Sequence, residues 1–475
     1  MVLYNILDEA DEGELVFMYI IREIDRALTE WKTQADRKPL LLRGVRQCGK
    51  TSSVRYLAVS FEHYAEINFE KQRSLSRMFE GDLNISGIIA KLEIETNTPI
   101  IPGKTLLFMD EIQACPRAIT ALRYFYEEMP ELHVIAAGSL LEFVLNGKKQ
   151  KDKIDFPVGR IRSLFMYPFS FREFIKGCGQ GRLCEYLDQL NHETEENMMH
   201  DKLLEWYKTF LVVGGMPEAV KKYNETGSLL ACQDVHRDIL LNYMDDFGKY
   251  SADVPADIIR QVFQFSIHHV CCQVKASSAI PGVSAYYFDE CIRLLRKAGL
   301  VYPVRASSCD TLPLGSSEKE ANKKLVFFDT GVYLTECGLN TAGLLSAEIF
   351  DEMNNGNVAE MQTGLEMIKS GNPVKEGSLF YWYRSGANAE VDYVFQKGQH
   401  IIPIEVKASG KGSMQSMRSY LDSFPDVPYG IRVSMENFSA YDRIRVFPVY
   451  AVRKALEETI CNSRTMALRK SPMGS

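Results

Sequence analysis

The 475 residues predict an α/β fold in which two sheet-containing regions flank a helical one. Apolar strand-like runs alternate with helical patterns between Pro39 and Phe143, helical patterns dominate from about residue 176 to 307, and SLFYWYRS, AEVDYVFQ and HIIPIEVKA follow one another as strand candidates near the C-terminus. Strands separated by helices imply parallel βαβ units with a sheet covered on both faces. A composition of 46% hydrophobic and 25% charged residues excludes general disorder.

In chain order, residues 1–36 form an N-terminal segment expected to be helical. The acidic start MVLYNILDEADEGEL lacks the basic and apolar regions of a secretion signal. No apolar run approaches the ~20 residues that cross a bilayer, so a cytoplasmic protein with no membrane partner is expected. Residues 37–175 contain LLLRG, a helix over Lys50–Ser60, YAEINF, TLLFMDEI, a helix near Ala118–Glu128 and HVIAAGS, which together make one parallel-sheet domain. The polar run KKQKDKID is a solvated loop, followed by the aromatic FPVGRIRSLFMYPFSFREF.

Residues 176–307 read as helical. Their last part, IIRQVFQFSIHHV and then VSAYYFDECIRLLRKAGLVYPV, has the helix, helix and strand pattern of a winged helix, with its second helix over Ser284–Ala298. Ser307–Lys324, rich in Ser, Gly and charge, is expected to be a long loop or hairpin tip. Residues 308–475 form the second α/β region. Its eleven-cysteine chain, including Cys48, Cys271, Cys272, Cys337 and Cys461, shows no paired CxxC at zinc spacing, so reduced thiols are expected.

GVRQCGKT, spanning Gly44, Val45, Arg46, Gln47, Cys48, Gly49, Lys50 and Thr51, fits the P-loop pattern in full, directly after a strand and before a helix that continues with Ser52. Such a loop turns its N–H groups toward phosphate oxygens at a helix N-terminus, with Lys50 on the β- and γ-phosphates and Thr51 on Mg²⁺. TLLFMDEIQ ends a strand in Asp110, the candidate metal-side carboxylate, and Glu111, the candidate base for the attacking water. Ser139 ends the next strand and either senses the γ-phosphate or caps a helix. Arg160 either stabilises transition-state charge, from the same or a neighbouring chain, or makes a surface ion pair.

A second constellation lies in AEVDYVFQKGQHIIPIEVKAS, where Asp392 and Glu405 are thirteen positions apart and Lys407 follows Glu405 by two. On neighbouring strands joined by KGQ, both carboxylates lie on one face. They would share a cation, with Glu360 completing the acidic group and Lys407 assisting phosphodiester hydrolysis, or they would form an exposed hairpin with an ordinary ion pair.

With these motifs in view, the chain resembles the bacterial and archaeal AAA-type ATPases that carry a C-terminal uncharacterised domain of the PD-(D/E)XK nuclease-like fold. LLLRGVRQCGKT, LLFMDEIQ, AAGSLLEF, YPFSFREF, GGMPEAV, VFFDTGV, EVDYVF and IPIEVK carry that resemblance. It implies an N-terminal AAA-type parallel-sheet domain, a central winged-helix region and a C-terminal nuclease-like α/β domain. It also implies ATP and Mg²⁺ as cofactors, Ser139 as sensor, and Asp392, Glu405 and Lys407 as the nuclease-like core. Two positions depart from the family: Cys48 stands where a small aliphatic residue is commoner, and Val391, not Pro, precedes Asp392.

The function expected is a Mg²⁺-dependent ATPase that couples nucleotide state to DNA engagement, with or without cleavage. The alternative is a nucleotide-dependent switch that binds a partner without cutting. A homo-oligomer sharing a trans-acting arginine is a further expectation. The net charge of −7 leaves any DNA contact to local patches.

Overall fold

The structure is a computed structural model that describes residues 5–6, 17–138, 156–191, 197–250, 254–338, 356–384, 389–407 and 413–457. β1 (Asn5–Ile6) and β2 (Phe17–Met18) form a short antiparallel ribbon ahead of α1 (Ile24–Thr33). β3 (Leu40–Gly44), β4 (His63–Asn68), β5 (Thr105–Asp110), β6 (His133–Gly138) and β7 (Arg162–Met166) make one parallel sheet in the order β4-β5-β6-β3-β7. β5 and β6 are buried along their whole length, as continuous apolar runs in a doubly covered sheet should be.

Strand alternation divides this core into two. Leu40, Leu42, Leu106, Phe108, Ile135 and Ala137 join the same cluster as residues of α1 and of α2 (Lys50–Ala58). Leu41, Leu107, Met109, Val134 and Ala136 join residues of α3 (Ile85–Thr96) and α4 (Pro116–Glu128). β7 is a strand that the aromatic stretch around it did not announce.

The helical part comprises α5 (Phe171–Gly177), α6 (Gly181–Gln189), α7 (His200–Val213), α8 (Pro217–Thr226), α9 (Leu229–Tyr250), α10 (Ala256–His268) and α11 (Ala285–Lys297). Ser170 and Glu173 close a capping box on α5, and Ser284 caps α11 through the Tyr287 N–H. β8 (Val301–Ser307) and β9 (Glu318–Phe327) follow α11 as an antiparallel pair.

That pair is also the edge of a second sheet. β10 (Leu379–Tyr383), β11 (Glu390–Lys397), β12 (His400–Lys407), β13 (Gly430–Ser434), β14 (Ser439–Tyr441) and β15 (Ile444–Pro448) complete a mixed eight-stranded sheet in the order β14-β15-β13-β12-β11-β10-β8-β9. A boundary at 307/308 therefore cuts between paired strands, since β8 pairs with both β9 and β10. The long loop or hairpin tip expected over Ser307–Lys324 is shorter, a tip between the antiparallel β8 and β9. Residues 318–324 are strand, because cross-strand bonds to β8 satisfy a backbone whose charged side chains suggested solvent.

α13 (Asn357–Lys369), α14 (Gln415–Ser423) and α15 (Val452–Glu457) pack around this sheet, while α12 (Thr330–Glu336) packs against α7, α9 and α13. GGMPEAV and VFFDTGV lock together here. One Asp329 carboxylate oxygen caps α12 by accepting from Val332 N (3.0 Å), and the other accepts from Gly215 N (2.6 Å). Gly214 has φ +71, and a Cβ there would lie 2.2 Å from Asp329 Oδ1, so no larger residue fits.

The two sheets are tied to each other. Phe171 N donates to Glu366 Oε1 (2.9 Å), Lys369 Nζ to the Phe169 carbonyl (2.8 Å), and Phe165 N to the Pro373 carbonyl (2.8 Å). Among the described residues, no helix is long and apolar enough to cross a membrane.

Candidate functional site

The P-loop sits at the C-terminal edge of β3. Gly44 has φ +151, and a Cβ on it would lie 2.1 Å from the Met166 carbonyl oxygen, so the loop can leave β3 beside β7 only with glycine there. Gly49 (φ +98) and Gln47 (φ +63) supply the left-handed turns that bring the chain into α2. Lys50 Nζ donates to the carbonyls of Gly44 and Val45, 3.0 Å each, which holds the ammonium over the loop. Ser52 lies in the first turn of α2 and is half-buried.

Cys48 is fully buried, with Sγ 3.7 Å from the Met166 carbonyl oxygen. Its side chain packs beneath the loop, which is why a thiol fits this position. From below, Arg22 donates to the Cys48 carbonyl (2.9 Å), the Tyr167 carbonyl (2.7 Å) and Glu173 (3.0 Å). From the side, the Arg46 guanidinium pairs with Asp246 of α9, and Tyr243 OH donates to the Arg46 carbonyl (2.7 Å). Val45 is buried, and a Cβ on Gly299 would meet it at 3.4 Å. The P-loop is thus gripped by residues from before and well after it in the chain.

β6 separates β3 from β5, yet Thr51 Oγ1 reaches Asp110 Oδ2 at 3.1 Å. The same oxygen accepts from Asn68 Nδ2 (3.2 Å), and Asp110 Oδ1 accepts from Glu111 N (3.0 Å). Burial, then the neighbouring Glu111 charge, push the Asp110 pKa up. A hydroxyl beside a carboxylate is an all-oxygen donor pair of the kind Mg²⁺ takes when phosphates and water complete its shell. The pair fits that ion.

Glu111 has left-handed backbone angles (φ 50°, ψ 45°), and its Oε2 accepts from Gln113 Nε2 at 2.5 Å. The other end of that amide, Gln113 Oε1, is buried without a hydrogen-bond partner against Gly138, at the end of β6. Gln113, Asn68, Arg22 and Asp246 were absent from the sequence-based site. Gln113 stood in plain view two residues after Glu111, whereas the others come from distant segments.

Ser139 lies outside the described residues. Arg160 is corrected for a role on the phosphates of its own chain. It pairs with Glu127 (3.0 Å) near the end of α4 and precedes β7, whose Arg162 is level with Leu40 at the start of β3. The P-loop leaves the opposite end of that strand, so Arg160 is at the wrong edge of the sheet.

In the second sheet, Tyr393 pairs with Ile404 across β11 and β12, which sets Asp392 and Glu405 opposite one another one step further on. Asp392 Oδ2 accepts from Val406 N (2.8 Å). Glu405 Oε1 pairs with Lys407 Nζ (2.8 Å), and Oε2 accepts from Met417 N (3.1 Å) in the first turn of α14. α13 packs against β9, β10 and β12 and brings in Glu360.

The cation among these acids is Lys324 of β9, which is 2% exposed. Its Nζ lies 2.8 Å from Glu360 Oε1 and 3.6 Å from Asp392 Oδ1, and pairs with Glu390. Burial alone would lower its pKa, but Glu360, Asp392 and Glu390 outweigh that and raise it well above the ordinary lysine value. Burial and the Asp392 charge push Glu360 up to about 8. Among the described residues, no group of three or more His, Cys, Asp or Glu is placed to hold a metal ion, Glu360, Asp392 and Glu405 included. The acids are turned to an ammonium and to backbone N–H groups instead.

Three family models match separate stretches: an AAA domain over residues 36–175, a domain of unknown function (DUF8612) over 204–342, and another (DUF4143) over 355–452. The five-stranded N-terminal sheet and its P-loop thus lie within the stretch that matches the AAA domain model. No curated protein matches the chain. Among solved structures it is similar to the Walker-type ATPase of Pyrococcus abyssi, at 15% identity over 67% of this chain and 95% of that one, TM-score 0.39. It is also similar to the Aeropyrum pernix ORC1 protein in complex with DNA (12% identity, 70% and 92% coverage, TM-score 0.27) and to AMPPCP-bound DnaA from Aquifex aeolicus (14%, 59% and 90%, TM-score 0.26).

Proposed function

We propose that this chain is a Mg²⁺-dependent ATPase that passes its nucleotide state to the central helices and, through them, to a bound partner. The observation that carries the reading is the 3.1 Å approach of Thr51 to Asp110, with Glu111 next in sequence and oriented by Gln113. In this proposal the N–H groups of residues 44–51 receive the phosphates, and Lys50 exchanges its two carbonyl partners for phosphate oxygens. Thr51, with Asp110 behind it, would hold Mg²⁺, whose charge would neutralise that of the phosphates. Glu111 takes a proton from the water whose oxygen bonds to the γ-phosphorus. The bond from that phosphorus to the β–γ bridging oxygen breaks, and ADP leaves.

An ATPase assay with Mg²⁺ on the full chain tests this. Lys50→Ala is expected to lose binding and turnover, and Glu111→Gln to keep binding while losing roughly 10²-fold or more in turnover. Equal turnover in wild type and both variants refutes the reading.

DNA is the partner class that α10, α11 and the β8–β9 hairpin support, since they follow one another as helix, helix and wing. Tyr286, 69% exposed, lies in the first turn of α11. Against strong affinity, Arg293 and Arg296 of that helix pair with Glu290 and Glu376. That pairing favours the second reading, a switch whose partner is a protein. A gel shift with duplex DNA, with and without ATP, separates the two: an ATP-dependent shift supports DNA, and a nucleotide-dependent change in molecular size without a shift supports the switch. An arginine finger at Arg160 requires a second copy of the chain, and the size measurement tests that too.

A further inference from the structure

The buried acids of the eight-stranded sheet already have a cation among them, and it belongs to the chain. An ammonium offers three donors, and three carboxylates, Glu360, Glu390 and Asp392, surround Lys324 Nζ. Several of the oxygens left over are engaged as well, among them Glu390 Oε2, which accepts from Gln273. Asp392 Oδ2 takes the Val406 N–H, and Glu405 divides its two oxygens between Lys407 and the Met417 N–H at the start of α14. A divalent ion needs converging carboxylate oxygens at about 2.1 Å for Mg²⁺, and it would have to enter beside a fixed positive charge.

We infer that Lys324 occupies the cation position of this acidic cluster, so that the C-terminal sheet takes no divalent metal there and cannot use one to cut a phosphodiester. The strand geometry is consistent with a settled role for the side chain. Lys323, the neighbour on the opposite face of β9, reaches outward to Asp289 (2.5 Å), while Lys324 is turned inward. Burying the ammonium is costly unless it is paired, and the three acids supply that pairing. The inference is independent of the nucleotide site.

Mn²⁺ titration of the nucleotide-free full chain, followed by electron paramagnetic resonance, tests it. Thr51→Ala is introduced throughout to remove the P-loop metal ligand. With Lys324 intact, this protein and its Asp392→Asn derivative are expected to bind Mn²⁺ equally weakly, with no site tighter than about 1 mM. Adding Lys324→Met removes the resident charge and is expected to open one Mn²⁺ site at least ~10-fold tighter, lost again with Asp392→Asn. A micromolar site in the Lys324 protein that Asp392→Asn abolishes overturns the inference. So does a folded Lys324→Met protein, checked by circular dichroism, that gains no site. Should Lys324→Met not fold, the comparison of the Lys324 protein with its Asp392→Asn derivative decides alone.

Discussion

Arg46, in the P-loop, pairs with Asp246, 200 residues later on α9, while Tyr243, one turn earlier on that helix, donates to the Arg46 carbonyl. α9 therefore holds the nucleotide loop by side chain and backbone at once. Asp246→Asn keeps the shape and removes the charge. It is expected to raise the KM for ATP by ~3–10-fold with a smaller effect on kcat, because the loop loses a charge-assisted bond that preorganises it. Steady-state kinetics with Arg46→Ala, Asp246→Asn and the double variant check this. Fully additive effects would show that the two residues are not coupled.

Gln113 fixes the Glu111 carboxylate through one amide end and leaves the other buried without a partner. Gln113→Leu removes the orienting donor. Turnover is expected to fall ~10- to 100-fold with nucleotide affinity little changed, less severely than in Glu111→Gln. Single-turnover hydrolysis beside equilibrium nucleotide binding reads the two effects separately.

Arg22 is nearly fully buried and joins the P-loop carbonyl of Cys48, the carbonyl of Tyr167 and the carboxylate of Glu173. Arg22→Ala strands the buried Glu173 carboxylate and is expected to cost ~3–5 kcal/mol in urea unfolding. Arg22→Lys should recover only part of that, since an ammonium cannot reproduce a planar fork bonded in three directions.

His133, at the start of β6, packs between Trp31 and Phe61, with Nε2 3.1 Å from the Lys32 carbonyl oxygen and Nδ1 buried without a partner. Burial pushes its pKa down to about 4, and the nearby Arg37 and Lys32 charges act in the same direction. The unfolded chain therefore binds the extra proton between pH 6.5 and about 4 and the folded chain does not, so this residue makes stability rise with pH through that window. The melting temperature of wild type should fall more steeply than that of His133→Phe on acidification from pH 6.5 to 4. Parallel slopes would remove His133 as the cause.

Local spacing made the nucleotide site readable. Gly44, Gly49, Lys50 and Thr51 are bound to one another by covalent order, and Asp110 with Glu111 ends a run whose apolar pattern marks a buried strand. The same holds for Asp392 and Glu405, set face to face by strand alternation and a short turn. Arg160 misled because a motif places a residue along the chain and not at one end of a sheet. β9 was hidden because SSEKEANKK carries the composition of a loop, and nothing in that string announces acids waiting for Lys324.

A phosphate loop, a strand ending in two carboxylates and a second acidic pair beside a lysine can be read from residue order alone, because each is written within a few residues or across one turn. It takes the folded chain to bring α9 onto the P-loop through Arg46 and Asp246, and Lys324 of an edge strand in among the acids of β11 and α13. Those partners are 36 to 200 residues apart in the chain. A buried charge reads as solvated until packing shows which opposite charge removes the cost of its burial.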